Sequence, residues 1–127
     1  SMKDAYRKAN GLLTSQEICE IRKKYMISQT DLSLVLGWGG KTITRYEGHQ
    51  IQDVAHDSIL RKIDDDPEWF LGLLDAGKNL LQEQAYRKYR NRAEDVFHNV
   101  EKNIFRKSCW RSIQRSMVTK HFAAAQH

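Results

Sequence analysis

Residues able to do chemistry gather in one short stretch, 28–48, SQTDLSLVLGWGGKTITRYEG. Arg45 can donate two parallel hydrogen bonds to guanine or clamp a phosphate, and Lys41 can do either with less geometric control. Thr42 and Thr44 offer hydroxyls to base edges or phosphates, and a threonine methyl can touch thymine. Gly39 and Gly40 would let backbone amides approach a phosphate closely. Gln29 lies one helix earlier, placed for a phosphate contact. Trp38 has two readings, a packing plug or a contact. Together Gln29, Trp38, Gly39, Gly40, Lys41, Thr42, Thr44 and Arg45 form a candidate duplex-DNA-binding set. The rival for the whole stretch is an ordinary helical hairpin, with Arg45 in a surface ion pair.

No other site chemistry stands out. His49, His56, His98, His121 and His127 have no paired spacing with cysteine or carboxylate, so no metal is expected in this chain. Cys19 and Cys109 form no CxxC pair, which argues against a disulfide scaffold and for a reducing compartment. Asp64-Asp65-Asp66 precedes Pro67 and reads as an anionic helix start. No nucleophile is paired with a base and no glycine loop suits a phosphate, so an enzyme is not expected. The basic run Arg22-Lys23-Lys24 is either a solvated face or a phosphate contact.

The elements that must carry these residues all read as helices: one proline occurs, and no stretch alternates long enough for a strand. Thr14 and Glu17 stand at capping-box spacing, with Leu13 and Ile18 as a hydrophobic staple, opening a first helix to about Tyr25. Ser28 caps a second, Gln29 to Leu36, stapled by Ile27 and Leu32 and stopped by Gly37. A third runs from Gly40 or Lys41 to Glu47. Asp53 caps a fourth carrying Val54, Ile59, Leu60 and Ile63, and Asp66-Pro67-Glu68 opens a fifth that closes near Gly77. Two steeply crossing helices need a small residue where they meet, a role that falls to Ser33. Gly37 supplies positive φ at the turn. Leu32, Leu36, Ile43 and Tyr46 then face inward, leaving Gly40, Lys41, Thr44 and Arg45 outward.

The fold class expected is all-α: a five-helix helix-turn-helix domain with a helical C-terminal extension. Residues 1–13 are a lead-in, 14–78 the DNA-binding domain and 79–127 a basic extension. Ser1-Met2 reads as an expression scar, leaving room for an earlier native start. Residues 1–51 carry 8 basic and 5 acidic groups, 52–79 carry 3 and 7, and 80–127 carry 10 and 4. The overall +5 therefore hides an acidic middle between two basic ends, and it permits an anionic partner without demanding one. No apolar run approaches the roughly 20 residues of a bilayer span, and Lys3, Asp4, Arg7 and Lys8 interrupt any signal-peptide core. In the extension, Val96, Phe97, Val100, Ile104, Ile113, Met117 and Val118 have partly helical spacing, interleaved with Arg106, Lys107, Arg111 and Arg115. They fit helices packed on the domain or a second subunit, further DNA-backbone contact, or a toxin-docking helix.

Over roughly residues 5–76 the chain resembles the helix-turn-helix domain of MqsA/YgiT-type antitoxins, a branch of the XRE (lambda-repressor-like) regulators. The marks, in order, are NGLLT, LGWG, TITRYE and IQDVAHDSILR. The resemblance implies a five-helix lambda-repressor-like fold and a bacterial, cytoplasmic, nucleoid-associated protein. It implies a dimer that binds a palindromic operator and represses its own type II toxin–antitoxin operon. By position, Lys41, Thr42, Thr44 and Arg45 match the DNA-reading face and Gln29 the phosphate-contacting helix start. Two departures stand out. Members of the family commonly carry an N-terminal zinc domain built on CxxC pairs; this chain has none, so zinc would belong to a domain outside it. Gly48-His49-Gln50 replaces the more usual Asn-Gly. The alternative function is a protein-interaction module that mainly binds and neutralises a cognate toxin, with DNA binding secondary.

Overall fold

A computed structural model describes residues 2–103. All regular structure among them is helical, as expected for an all-α chain. Six α-helices precede residue 77: α1 Met2–Ala9, α2 Ser15–Lys24, α3 Gln29–Val35, α4 Thr42–Glu47, α5 Val54–Asp65 and α6 Pro67–Ala76. A 3₁₀ turn, Lys78–Leu80, leads to a longer helix starting at 83. Its residues 83–97 (α7) belong to a compact unit that ends at Phe97. Residues 98–103, also helical, belong to a second unit beginning at His98, within which His98 Nδ1 lies 3.8 Å from a Glu101 oxygen. Ile104, Ile113, Met117, Val118 and the basic residues among them lie outside the described residues. No described helix is long and apolar enough to cross a membrane.

The start signals act as their residue types require. Thr14 accepts from the Glu17 amide while Glu17 reaches back to the Thr14 amide, a complete capping box. Ser28, Asp53 and Asp66 cap α3, α5 and α6 through the amides of Asp31, His56 and Trp69. Leu13 with Ile18, and Ile27 with Leu32, are all buried.

Three helices end the same way. After α1, α2 and α3 comes a residue in left-handed backbone: Gly11 at φ 70°, Met26 at φ 57° and Gly37 at φ 72°. In each case the next amide donates to the carbonyl five residues back: Leu12 to the Arg7 carbonyl, Ile27 to Arg22 and Trp38 to Ser33. Two of the three sites hold glycine; Met26 pays the steric penalty of a Cβ there, and its side chain is exposed. Met26→Gly is expected to stabilise the protein by up to about 1 kcal/mol, because relieved strain outweighs added unfolded-chain entropy. A lower urea midpoint for that variant would contradict this.

One core unites the helices. Ile18 and Ile21 of α2, with Tyr25 at its C-terminal cap, cluster with Leu60 and Ile63 of α5 and Phe70 and Leu74 of α6. The Tyr25 and Phe70 rings lie 4.3 Å apart, and the Tyr25 hydroxyl donates to the Ile63 carbonyl at 2.7 Å. Tyr89, Ala93 and Val96 of α7 join the same cluster. Tyr89 donates to an Asp31 carboxylate oxygen and Arg92 to the Lys24 carbonyl. The expected division at 78/79 thus does not coincide with an edge of the core. Val54, the first residue of α5, is solvent-exposed.

The lead-in, 1–13, contains a helix not expected from the sequence. Asp4 of α1 accepts from the Ser15 amide and hydroxyl and from Arg7. The Ser15 amide above all, then Arg7 and the Ser15 hydroxyl, hold its carboxyl far below the ordinary 3.8. Burial pushes the Asp57 carboxyl up, but bonds from Arg61, the Leu13 amide and Gln52 outweigh it, and its value is lowered. A carboxyl whose value is depressed on folding stabilises the fold above its unfolded value and loses that contribution as pH falls through the folded one. Stability is therefore expected to be level down to the ordinary aspartate value of 3.8 and to fall below it. Urea midpoints across pH check this, and Asp4→Asn should flatten part of the acid limb.

Candidate nucleic-acid interface

The pair α3–α4 is held at its closest approach by one hydroxyl. Ser33, fully buried, donates to the Gln29 carbonyl at 2.9 Å and accepts from the Ile43 amide at 3.0 Å. Lys41, the residue before α4, provides no side-chain cap, so Ser33 satisfies from the neighbouring helix an amide that would otherwise be buried without a partner. Between the two helices, Gly37 turns the chain and Gly39 takes φ 85°, which a side chain rarely adopts. Leu32, Ile43 and Tyr46 are buried and Leu36 is half-buried against the core.

Six of the eight predicted residues divide into three pairs. Lys41 and Arg45 are exposed, and neither forms an ion pair among the described residues. Thr44, also exposed, donates to Gln29 Oε1 at 3.0 Å, while Gln29 Nε2 donates to Glu47 at 3.2 Å. Gln29 thus bridges the two helices along their outward edge. Thr42 and Trp38 serve the turn. The Thr42 hydroxyl donates to the Trp38 carbonyl, and the Trp38 ring stacks on His56 at 3.8 Å and 13°. His56 Nδ1 in turn shares a 2.7 Å hydrogen bond with the Tyr46 hydroxyl. Gly40 is half-buried, and a Cβ there would meet Thr30 at 3.8 Å.

Electrostatics sharpen this edge. Glu47, the only acid on α4, points inward, where Arg22 grips it with Nε at 2.8 Å and Nη2 at 3.0 Å. The grip on Glu47 raises the Arg22 guanidinium above its ordinary value. The run 22–24 therefore splits: Arg22 neutralises Glu47, Lys24 pairs with Asp64 at 2.7 Å, and Lys23 is exposed. What remains outward on the α3–α4 edge is a lysine, a threonine, an arginine and a bridging amide, the chemistry of a strip that meets phosphates and base edges. No family model, curated protein or solved structure matches this chain.

Three contributors had no signal in the residue pattern. Arg7 of α1 is fully buried, and its Nη2 donates to the Tyr46 carbonyl at 2.8 Å and the Gln50 carbonyl at 2.5 Å. Lys3 donates to the His49 carbonyl. Helix α1 thus seizes the C-terminal end of α4, as α3 holds its start. His56 is the third, invisible until Trp38 is seen against it. Among the described residues no group of three or more His, Cys, Asp or Glu side chains could hold a metal. Cys19 stands half-buried with Arg22 Nη2 3.6 Å from its sulfur, which is no zinc donor set.

Proposed function

We propose that this protein binds double-stranded DNA sequence-specifically and represses transcription, with α4 lying in the major groove. One observation carries the reading. The outward edge of α3–α4 keeps Lys41, Thr44 and Arg45 in solvent, while the one acid of α4, Glu47, is turned into the protein and neutralised. A helix diameter suits the major groove, and phosphate contacts there position while base contacts select. The lambda-repressor-like arrangement and a dimer on a palindromic operator belong to the same proposal, with half-sites about 34–36 Å apart. Repression is by occlusion: bound protein blocks polymerase. The resemblance in TITRYE and its flanking motifs supports a more specific form, an antitoxin that autoregulates its own operon.

Selection of binding sites from a random duplex pool tests the reading. Arg45→Ala is expected to weaken the selected site by about 1–3 kcal/mol and to relax one position of the preference, because a bidentate donor is lost. Unchanged selectivity would remove Arg45 from the reading face. Failure to enrich any sequence would remove sequence-specific DNA binding itself. Co-purification with the product of the adjacent gene tests the antitoxin form.

A further inference from the structure

The C-terminal end of α4 borders an open hollow lined by Lys3, Thr44, Arg45, Gly48, His49 and Gln50. Three of these six can carry positive charge and none is acidic. Helix C-terminal carbonyls ordinarily repel an anion. Here cations cover carbonyls at and just beyond that end: buried Arg7 binds that of Tyr46 in α4 and that of Gln50 after it, and Lys3 binds that of His49. Lys3 gives one hydrogen to this bond and keeps two for a ligand. Gly48 lets the chain turn close against α4: a Cβ there would lie 3.3 Å from the Thr44 carbonyl oxygen.

Resting on the DNA-binding reading above, we propose that Lys3 and His49 hold a phosphodiester of the duplex in this hollow. Arg45 marks its border with the base-reading edge. An ammonium on a flexible stem is a point charge, suited to a phosphate and carrying no base pattern. Helix α1 thereby gains a second task. Arg7 fixes the end of α4, and one turn earlier Lys3 clamps the backbone beside it, setting how deeply α4 enters the groove.

Titration of the whole chain against a random-sequence duplex at several salt concentrations tests this. Lys3→Gln is expected to lower the slope of log affinity against log salt by about one and to weaken binding about 5–10-fold near 0.1 M salt, equally on all sequences. Lys3→Arg should retain both. His49→Glu leaves the backbone bond from Lys3 in place and should show the same uniform loss, which covers the case in which Lys3→Gln unravels α1. Replacing the flanking phosphates of a selected site by neutral methylphosphonates, one at a time, should reveal a position that weakens wild type but not Lys3→Gln. Salt-dependent binding by wild type with an unchanged slope in both variants overturns the clamp and leaves the DNA reading intact. A changed base preference in Lys3→Gln also overturns it. Absence of any salt-dependent duplex binding by wild type sinks both.

Discussion

Arg7→Ala is expected to destabilise the protein by about 3–5 kcal/mol, measured as a loss in the free energy of urea unfolding. The guanidinium is wholly buried and serves three acceptors from separate places: Asp4 at 2.8 Å, the Tyr46 carbonyl at 2.8 Å and the Gln50 carbonyl at 2.5 Å. Alanine leaves those acceptors with fewer donors and opens a cavity the length of the arginine stem. The buried Nε finds no partner among the described residues, a desolvation cost that pulls the net value toward the lower end of the range. Arg7→Lys should recover little, since one ammonium cannot span carbonyls that the planar fork reaches together. At temperatures where Arg7→Ala is still folded, its DNA affinity should fall as well, because the end of α4 is no longer anchored. A loss below about 1 kcal/mol would mean that water replaces the guanidinium at no cost, contrary to the burial seen.

Ser33→Leu is expected to cost about 3–5 kcal/mol and to abolish duplex binding. The hydroxyl is the shared point of the two helices, so its loss strands the buried Ile43 amide, worth about 1–3 kcal/mol. The leucine must also fit where the helices approach most closely and the site is wholly buried, adding about 1–3 kcal/mol of overpacking. Ser33→Ala separates the two effects: it removes the bond without the bulk and should show only the first part. Equal losses for the two variants would show that the helices can spread apart freely. Circular dichroism distinguishes a variant that has lost the fold from one that has lost only the α3–α4 geometry.

Elements held together by short-range rules could be read from the chain alone. Thr14 with Glu17, Ser28 with Asp31, Asp53 with His56 and Asp66 with Trp69 each lie three residues apart, the reach of one helical turn. Gly37 and Ser33 were legible too, because a tight turn between crossing helices admits few residue types. Helix α1 was not read: Met2, Ala5, Tyr6 and Ala9 do recur at helical spacing, but that face is exposed, and the residue that seats the helix is an arginine. The end of α2 at Met26 carries no glycine to announce it.

The chain alone offered a set of residues with the chemistry to contact DNA; tertiary structure decided which of them stand in solvent. Among the described residues Lys41 and Arg45 form no ion pair, because Arg22, on another helix and 25 residues before Glu47, takes that acid. Thr42 and Trp38 are drawn into the turn by partners that include His56, 18 residues beyond the tryptophan. Lys3 and Arg7 reach the end of α4 across 46 and 39 residues. Helix caps are set by backbone geometry that repeats with the helical turn, so sequence spacing encodes them. Ion pairing and burial depend on distances in space that the folded chain alone sets, and here they leave α4 anchored at both ends with its basic edge in water.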